Sequence, residues 1–225
     1  MKRNSCKHLR FSSGSSLLLL FMIAMSACSS LYYNAMEQVG VHKRDIMVER
    51  VKSARDAQEA AKTQFRDALE QFRSVVAVSG GDIEKQYTRL DGVLRKTENS
   101  ANNIHQRIAA IEDVSRALFR EWRREIAQYR NKNYKAISRE KYKKTQGEYK
   151  ELISAMKKAE ARLEPALRPL RDQVLFLKHN LNARAIAGLA AELDNIESQV
   201  QRLIMEMEAA IERADHFVSD LATGQ

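Results

Sequence analysis

From residue 47 onward, apolar or small side chains recur at alternating steps of four and three: Met47, Val51, Ala54, Ala61, Phe65, Ala68, Phe72 and Val75, interrupted only by Gln58. A heptad seam of this length predicts a long helix with one buried stripe. Its three alanines predict close approach of a neighbouring helix, and packing within the chain is favoured over a zipper between chains. Ser79-Gly80-Gly81-Asp82 then ends the helix, because glycine takes the left-handed conformation beyond a helix C-terminus and aspartate caps the next first turn. A second seam follows at Ile83, Tyr87, Leu90, Leu94, Thr97, Ala101, Ile104, Ile108, Ile111, Ser115, Leu118 and Trp122. After Trp122 it shifts by one residue to Ile126 and Tyr129, a stutter that locally unwinds a supercoil. Each helix comes out near ~48 residues, or ~70 Å at the standard rise, and matched lengths across a short turn predict an antiparallel hairpin.

The pattern lapses over residues 130–138, where Asn131 and Asn133 mark a second connection. A third seam then runs through Tyr142, Tyr149, Leu152, Met156, Ala159 and Leu163. Pro165 and Pro169 each remove an amide donor and clash with the preceding turn, which predicts a kink or a break. Val174 to Leu177 is apolar on every side and predicts burial by more than one neighbour. At residues 178–182 two readings stand. A turn capped by Asn182 gives a second hairpin, whereas an unbroken helix would run over ~100 Å; the turn is favoured. The last seam holds Leu189, Leu193, Ile196, Val200, Leu203, Met207, Ala210, Ala214, Phe217 and Leu221. The fold class is therefore all-α: an elongated antiparallel helical bundle of three to four long helices with coiled-coil seams, over residues 35–221. The last four residues, 222–225, form a tail.

Composition agrees, since 8 Gly and 2 Pro in 225 residues with 30% charged residues leave few of the turn signals that strands need. The first residues change the picture more. Lys2, Arg3, Lys7 and Arg10 form a basic head before the apolar run from Leu17 to Met25, the layout of a secretory signal. That run is far shorter than the ~20 residues required to span a bilayer. Ser26-Ala27-Cys28 resembles the lipobox of bacterial lipoproteins, with Met25 where leucine is usual. The resemblance implies that residues 1–27 are removed, that Cys28 is acylated, and that residues 28–34 form a tether. Ser29, not aspartate, after the cysteine implies the periplasmic side of the outer membrane. Loss of the four basic head residues lowers the net charge from +9 to +5, and with Cys6 discarded and Cys28 lipidated no thiol is left for a disulfide, metal or nucleophile.

Tyr32-Tyr33, Lys43-Arg44-Asp45-Ile46 and the stretch from Asp172 to Ala183 resemble a family of bacterial coiled-coil lipoproteins classed only as a domain of unknown function. This implies export and a helical fold, and supplies no catalytic residue.

Candidate chemistry is sparse. No GxxxxGK[ST] loop is present, and His42, His105, His179 and His216 are scattered without HExxH or cysteine partners. His179, between apolar patches, is the best single histidine, although a packing or capping role is the more ordinary one. Glu121 and Glu125 lie among arginines as surface ion pairs. No cofactor, metal or enzymatic activity is expected.

One constellation stands out. Residues 116–150 hold Arg116, Arg120, Arg123, Arg124, Arg130, Lys132, Lys135, Arg139, Lys141, Lys143, Lys144 and Lys150 against four glutamates, interleaved with Trp122, Tyr129, Tyr134, Tyr142 and Tyr149. Basic and aromatic residues together suit nucleic acid in the cytoplasm, but an exported chain makes that partner unexpected. The nine cations from Arg123 to Lys144 instead suit either a surface for anionic lipid, at the end of the bundle nearest the anchored N-terminus, or a solvated basic helix end whose tyrosines pack on the bundle. The expected function is a membrane-anchored envelope scaffold contacting lipid through Cys28 and envelope proteins or anionic lipid through this surface, its oligomeric state open with a monomer favoured. A module binding peptidoglycan or anionic glycolipid is the alternative.

Overall fold

The computed structural model describes residues 32–33, 35–38, 40–77, 82–180 and 183–223. Cys28 and the rest of the leader, residues 79–81 of the first turn, and Asn182 lie outside the described residues. The chain divides into two compact units, Met1–Lys43 and Arg44–Gln225. In the first, a helical stretch over residues 35–38 closes at Gly40. With φ at +84°, Gly40 donates its N–H to Glu37 O while Val41 donates to Met36 O, each at 3.0 Å, the paired bonds of a Schellman cap.

The second unit is an antiparallel bundle of four long helices: α1 (Lys43–Ala77), α2 (Ile83–Gln128), α3 (Lys132–His179) and α4 (Ala183–Thr223). Ion pairs across each interface set the directions. Between α1 and α4, Arg55 pairs with Asp215 at 2.8 Å, Arg66 with Glu208 at 3.2 Å and Arg73 with Glu197 at 2.5 Å, so numbers rise on one helix as they fall on the other. Arg171 with Glu98 and Lys157 with Glu112 do the same for α3 and α2. Arg213 with Glu151 joins α4 to α3, and Arg50, which donates to Ala110 O at 2.6 Å, joins α1 to α2. Exposed pairs of this kind contribute ~0.2–1 kcal/mol each. Their effect here is register more than stability.

The stability lies in the seams. Every position of the first one, from Met47 to Val75, is buried, Gln58 included. Its alanines are buried as well. In α2 the stutter falls earlier than the sequence suggested. Ser115, Phe119, Trp122 and Ile126 form the buried row, whereas Leu118 is half-buried and Tyr129 exposed.

Three expectations about α3 change. First, the connection before it is only residues 129–131: Asn131 caps the helix, its side chain accepting from Asn133 N at 2.9 Å and Tyr134 N at 3.3 Å, so residues 132–138 are helical. Second, α3 runs without a break through Pro165 and Pro169. A helical proline costs ~3 kcal/mol, and Leu163, Leu167 and Leu170, buried around the pair, at ~1.5–3 kcal/mol each contribute about as much as the two prolines cost. Third, Val174 and Leu177 are buried while Leu175 and Phe176 are 55% and 43% exposed, because two flanking helices cover only one side of α3. The helix ends at His179, and Asn180 donates its N–H to Leu177 O. Two helices, not one, therefore make up the C-terminal half. No helix among the described residues is long and apolar enough to cross a membrane.

Candidate functional site

The basic and aromatic residues gather where α2 meets α3, and the fold sorts them into a floor and a tip. The floor is a core cluster of Phe119, Trp122, Ile126 and Tyr142, with Tyr149 packed against it. Tyr142 meets Phe119 edge to face with centroids 5.7 Å apart, and Trp122 likewise at 5.7 Å, the geometry that aromatic quadrupoles prefer. Trp122 donates Nε1–H to Ser138 Oγ at 3.0 Å, fixing the first turns of α3 to the last turns of α2. Arg44, at the start of α1, lies over the Trp122 ring. The α2–α3 connection is thus at the end of the bundle where α1 begins.

At the tip the rings turn outward. Tyr129 is exposed, and Tyr134 and Ile137 are 61% and 63% exposed, although apolar side chains of this size are ordinarily drawn into a core. Around them stand Arg124, Arg130, Lys132 and Arg139, all exposed, with Lys135 half-buried. The first turn of α3 contains no acidic residue. Cations at a helix N-terminus oppose the macrodipole, by ~0.3–1 kcal/mol each at low salt, so positive potential accumulates here against local stability.

The other residues predicted for this surface are placed differently. Arg123 is exposed but donates Nε–H to Phe119 O at 3.3 Å and belongs to a groove beside the tip. Lys141 is half-buried and Lys143 exposed. Lys144 pairs with Glu148 at 3.5 Å. The strongest tip cations are therefore Lys132, Lys135 and Arg139, at helical spacing along one face of α3.

The groove was not foreseen, because it requires the register of α2 on α3. It is an open groove of about 440 Å³ over Phe119, Tyr142 and Tyr149, with Arg116, Arg120 and Arg123 on its α2 rim and Gln146 on the α3 side. At its far end Ser115 Oγ donates toward Glu112 O at 2.9 Å and Tyr149 OH at 2.8 Å, its single proton serving one at a time. Gln146 donates Nε2–H to the Tyr142 hydroxyl at 3.0 Å. Burial pushes the Tyr149 phenol above its ordinary value, partly opposed by the Ser115 bond, so Tyr149 remains a protonated donor.

A second groove lies further along the same two helices, about 390 Å³. Here Arg171 bridges Glu98 at 2.9 Å and Glu164 at 3.0 Å, and His105 meets Glu160 at 2.6 Å. His179 is exposed at the end of α3, and among the described residues no cluster of His, Cys, Asp and Glu could hold a metal ion.

No curated protein matches the chain. The family described as "Protein of unknown function (DUF2959)" matches residues 32–221, which span all four helices of the bundle. The chain therefore belongs to the DUF2959 family.

Proposed function

We propose that the protein is a lipid-anchored scaffold of the bacterial cell envelope, acylated at Cys28 and facing the periplasm from the outer membrane, whose α2–α3 tip rests on anionic lipid. The observation that carries this reading is the exposure of Tyr129, Tyr134 and Ile137 among Arg130, Lys132, Lys135 and Arg139. Aromatic rings favour the headgroup level of a membrane, and each well-placed cation adds ~1 kcal/mol of attraction to an anionic surface.

The covalent chain supports the same orientation. Arg44 stacks on Trp122 next to the tip, and the 16 residues from Cys28 to Arg44 reach at most ~55 Å even fully extended. An anchor at Cys28 would thus hold the tip end of the bundle within reach of the bilayer. Acylation fixes the molecule to the membrane, and the tip sets its attitude. The seams remain inside the bundle, leaving its charged flanks to meet envelope proteins.

The test is cosedimentation of the chain from Ser29 onward with phosphatidylglycerol and phosphatidylcholine vesicles across a salt series. Binding to the anionic vesicles alone, lost as salt rises, is expected. Equal behaviour toward both lipids contradicts the proposal. Metabolic labelling with palmitate, abolished by Cys28→Ala, tests the anchor separately.

A further inference from the structure

We propose that the groove between α2 and α3 binds a phosphate ester with a flat or apolar body: Arg116, Arg120 and Arg123 hold the phosphoryl oxygens, and the rings of Phe119, Tyr142 and Tyr149 receive the body. The three arginines follow one another at steps of four and three, so their guanidinium groups line ~10 Å of one helix face. Like charges at this spacing destabilise a helix by a few tenths of a kcal/mol (~0.2–0.5) per pair. Across the groove α3 offers no compensation. Its facing positions are Tyr142, Gln146 and Tyr149, and no carboxylate lines the space.

The neighbouring groove on the same helices is the internal comparison, for there Arg171 is held by two carboxylates. Here Arg116 meets Asp113 at a loose 3.5 Å. Arg123 uses Nε on a backbone carbonyl, and the arginine that stacks on a ring is Arg44, not one of these. Arg120 and Arg123 are thus exposed above an aromatic floor, and Arg116 is only loosely held beside them.

Guanidinium forks match phosphoryl oxygens in pairs, and three of them suit a dianionic monoester better than a single carboxylate. The Tyr149 hydroxyl adds a donor whenever Ser115 donates to it. The volume falls within the ~300–1,000 Å³ typical of small-ligand sites. Such an ester could be soluble or be the headgroup of a lipid, and the chemistry of recognition is the same. The site is separate from the tip cations Lys132, Lys135 and Arg139, so either proposal can fail alone.

Calorimetric titration of the full chain with inorganic phosphate, phenyl phosphate and dihexanoyl phosphatidic acid tests it. At least one ester is expected to bind tenfold or more tightly than inorganic phosphate. Phenyl phosphate binding points to a soluble source, and binding of the phosphatidic acid alone to a lipid one. Arg116→Gln with Arg120→Gln, both exposed positions, should weaken binding at least tenfold with an unchanged melting curve, whereas Arg171→Gln in the neighbouring groove should leave it unaltered. Esters no tighter than inorganic phosphate, or affinity indifferent to the double substitution, would overturn the proposal.

Discussion

The guanidinium carbon of Arg44 lies 5.9 Å from the centroid of the Trp122 ring, joining the first turn of α1 to the last turns of α2. A cation over an indole face contributes ~0.5–1 kcal/mol at a partly exposed site. Arg44→Ala should lower the unfolding free energy by about that amount, and Trp122→Ala, which empties a core position, by ~3–5 kcal/mol. Trp122 is the only tryptophan in the chain, so its emission reports on this contact directly. A shift of the emission maximum in Arg44→Ala is the expected sign; an unchanged spectrum and stability would show that the contact contributes nothing.

Gln58 occupies a seam position and is fully buried, yet neither of its side-chain amide atoms has a hydrogen-bond partner. An unpaired buried amide costs ~1–3 kcal/mol. Gln58→Leu should therefore raise stability by about 1 kcal/mol or more in chemical denaturation, with the slope of the transition unchanged. Polar residues at such positions specify helix register in coiled coils at a cost in stability. Should the leucine variant prove less stable, the amide has a partner in solution.

Burial holds the Glu148 carboxyl above its ordinary range; the nearby Asp220 acts in the same direction and Lys144 in the other. The folded state then binds this proton more tightly than the unfolded chain does. Its contribution is fully present below the ordinary carboxylate range and is lost as pH rises through the raised value. At pH 7 Glu148→Gln should accordingly be stabilising, by up to about 0.5 kcal/mol as for most surface substitutions. The advantage should vanish on acidification as the wild-type carboxyl takes up its proton. Melting temperatures of the two proteins between neutral and mildly acid pH give the comparison, and a constant offset would contradict the assignment.

Gly40 has the left-handed φ that L side chains rarely adopt, with open space around its missing Cβ. Gly40→Ala tests backbone strain without steric clash, and a loss of ~1 kcal/mol is expected from glycine's preference at this cap. Helicity of the cap can be followed by amide exchange at Gly40 and Val41. Unaltered protection in the alanine variant would mean that this cap does not depend on glycine.

The heptad steps of α1 could be read in full because a helix buried on one stripe repeats its pattern without exception, and even the misfit Gln58 stayed in phase. The α2 row was misread at one turn. Leu118 continues the alternation of four and three, whereas the bundle buries Phe119, and a single-helix pattern cannot say which of two adjacent large side chains meets the neighbour. Leu175 and Phe176 illustrate the converse, since apolar character alone does not supply a helix to cover it. The basic and aromatic cluster was visible as composition. Its division into floor, tip and groove was not, because Tyr142, Tyr149 and Phe119 meet only once α2 and α3 lie antiparallel in one particular register.

Contact of the tip with anionic lipid is tested most directly by the vesicle affinity of Lys132→Glu, Lys135→Glu and Arg139→Glu combined. These residues lie on one face of α3 beside the outward-turned Tyr134 and Ile137. At ~1 kcal/mol per cation, reversing three should reduce affinity for phosphatidylglycerol vesicles by at least tenfold and flatten the salt dependence, with the melting curve preserved. Undiminished binding by the folded triple variant would contradict the account.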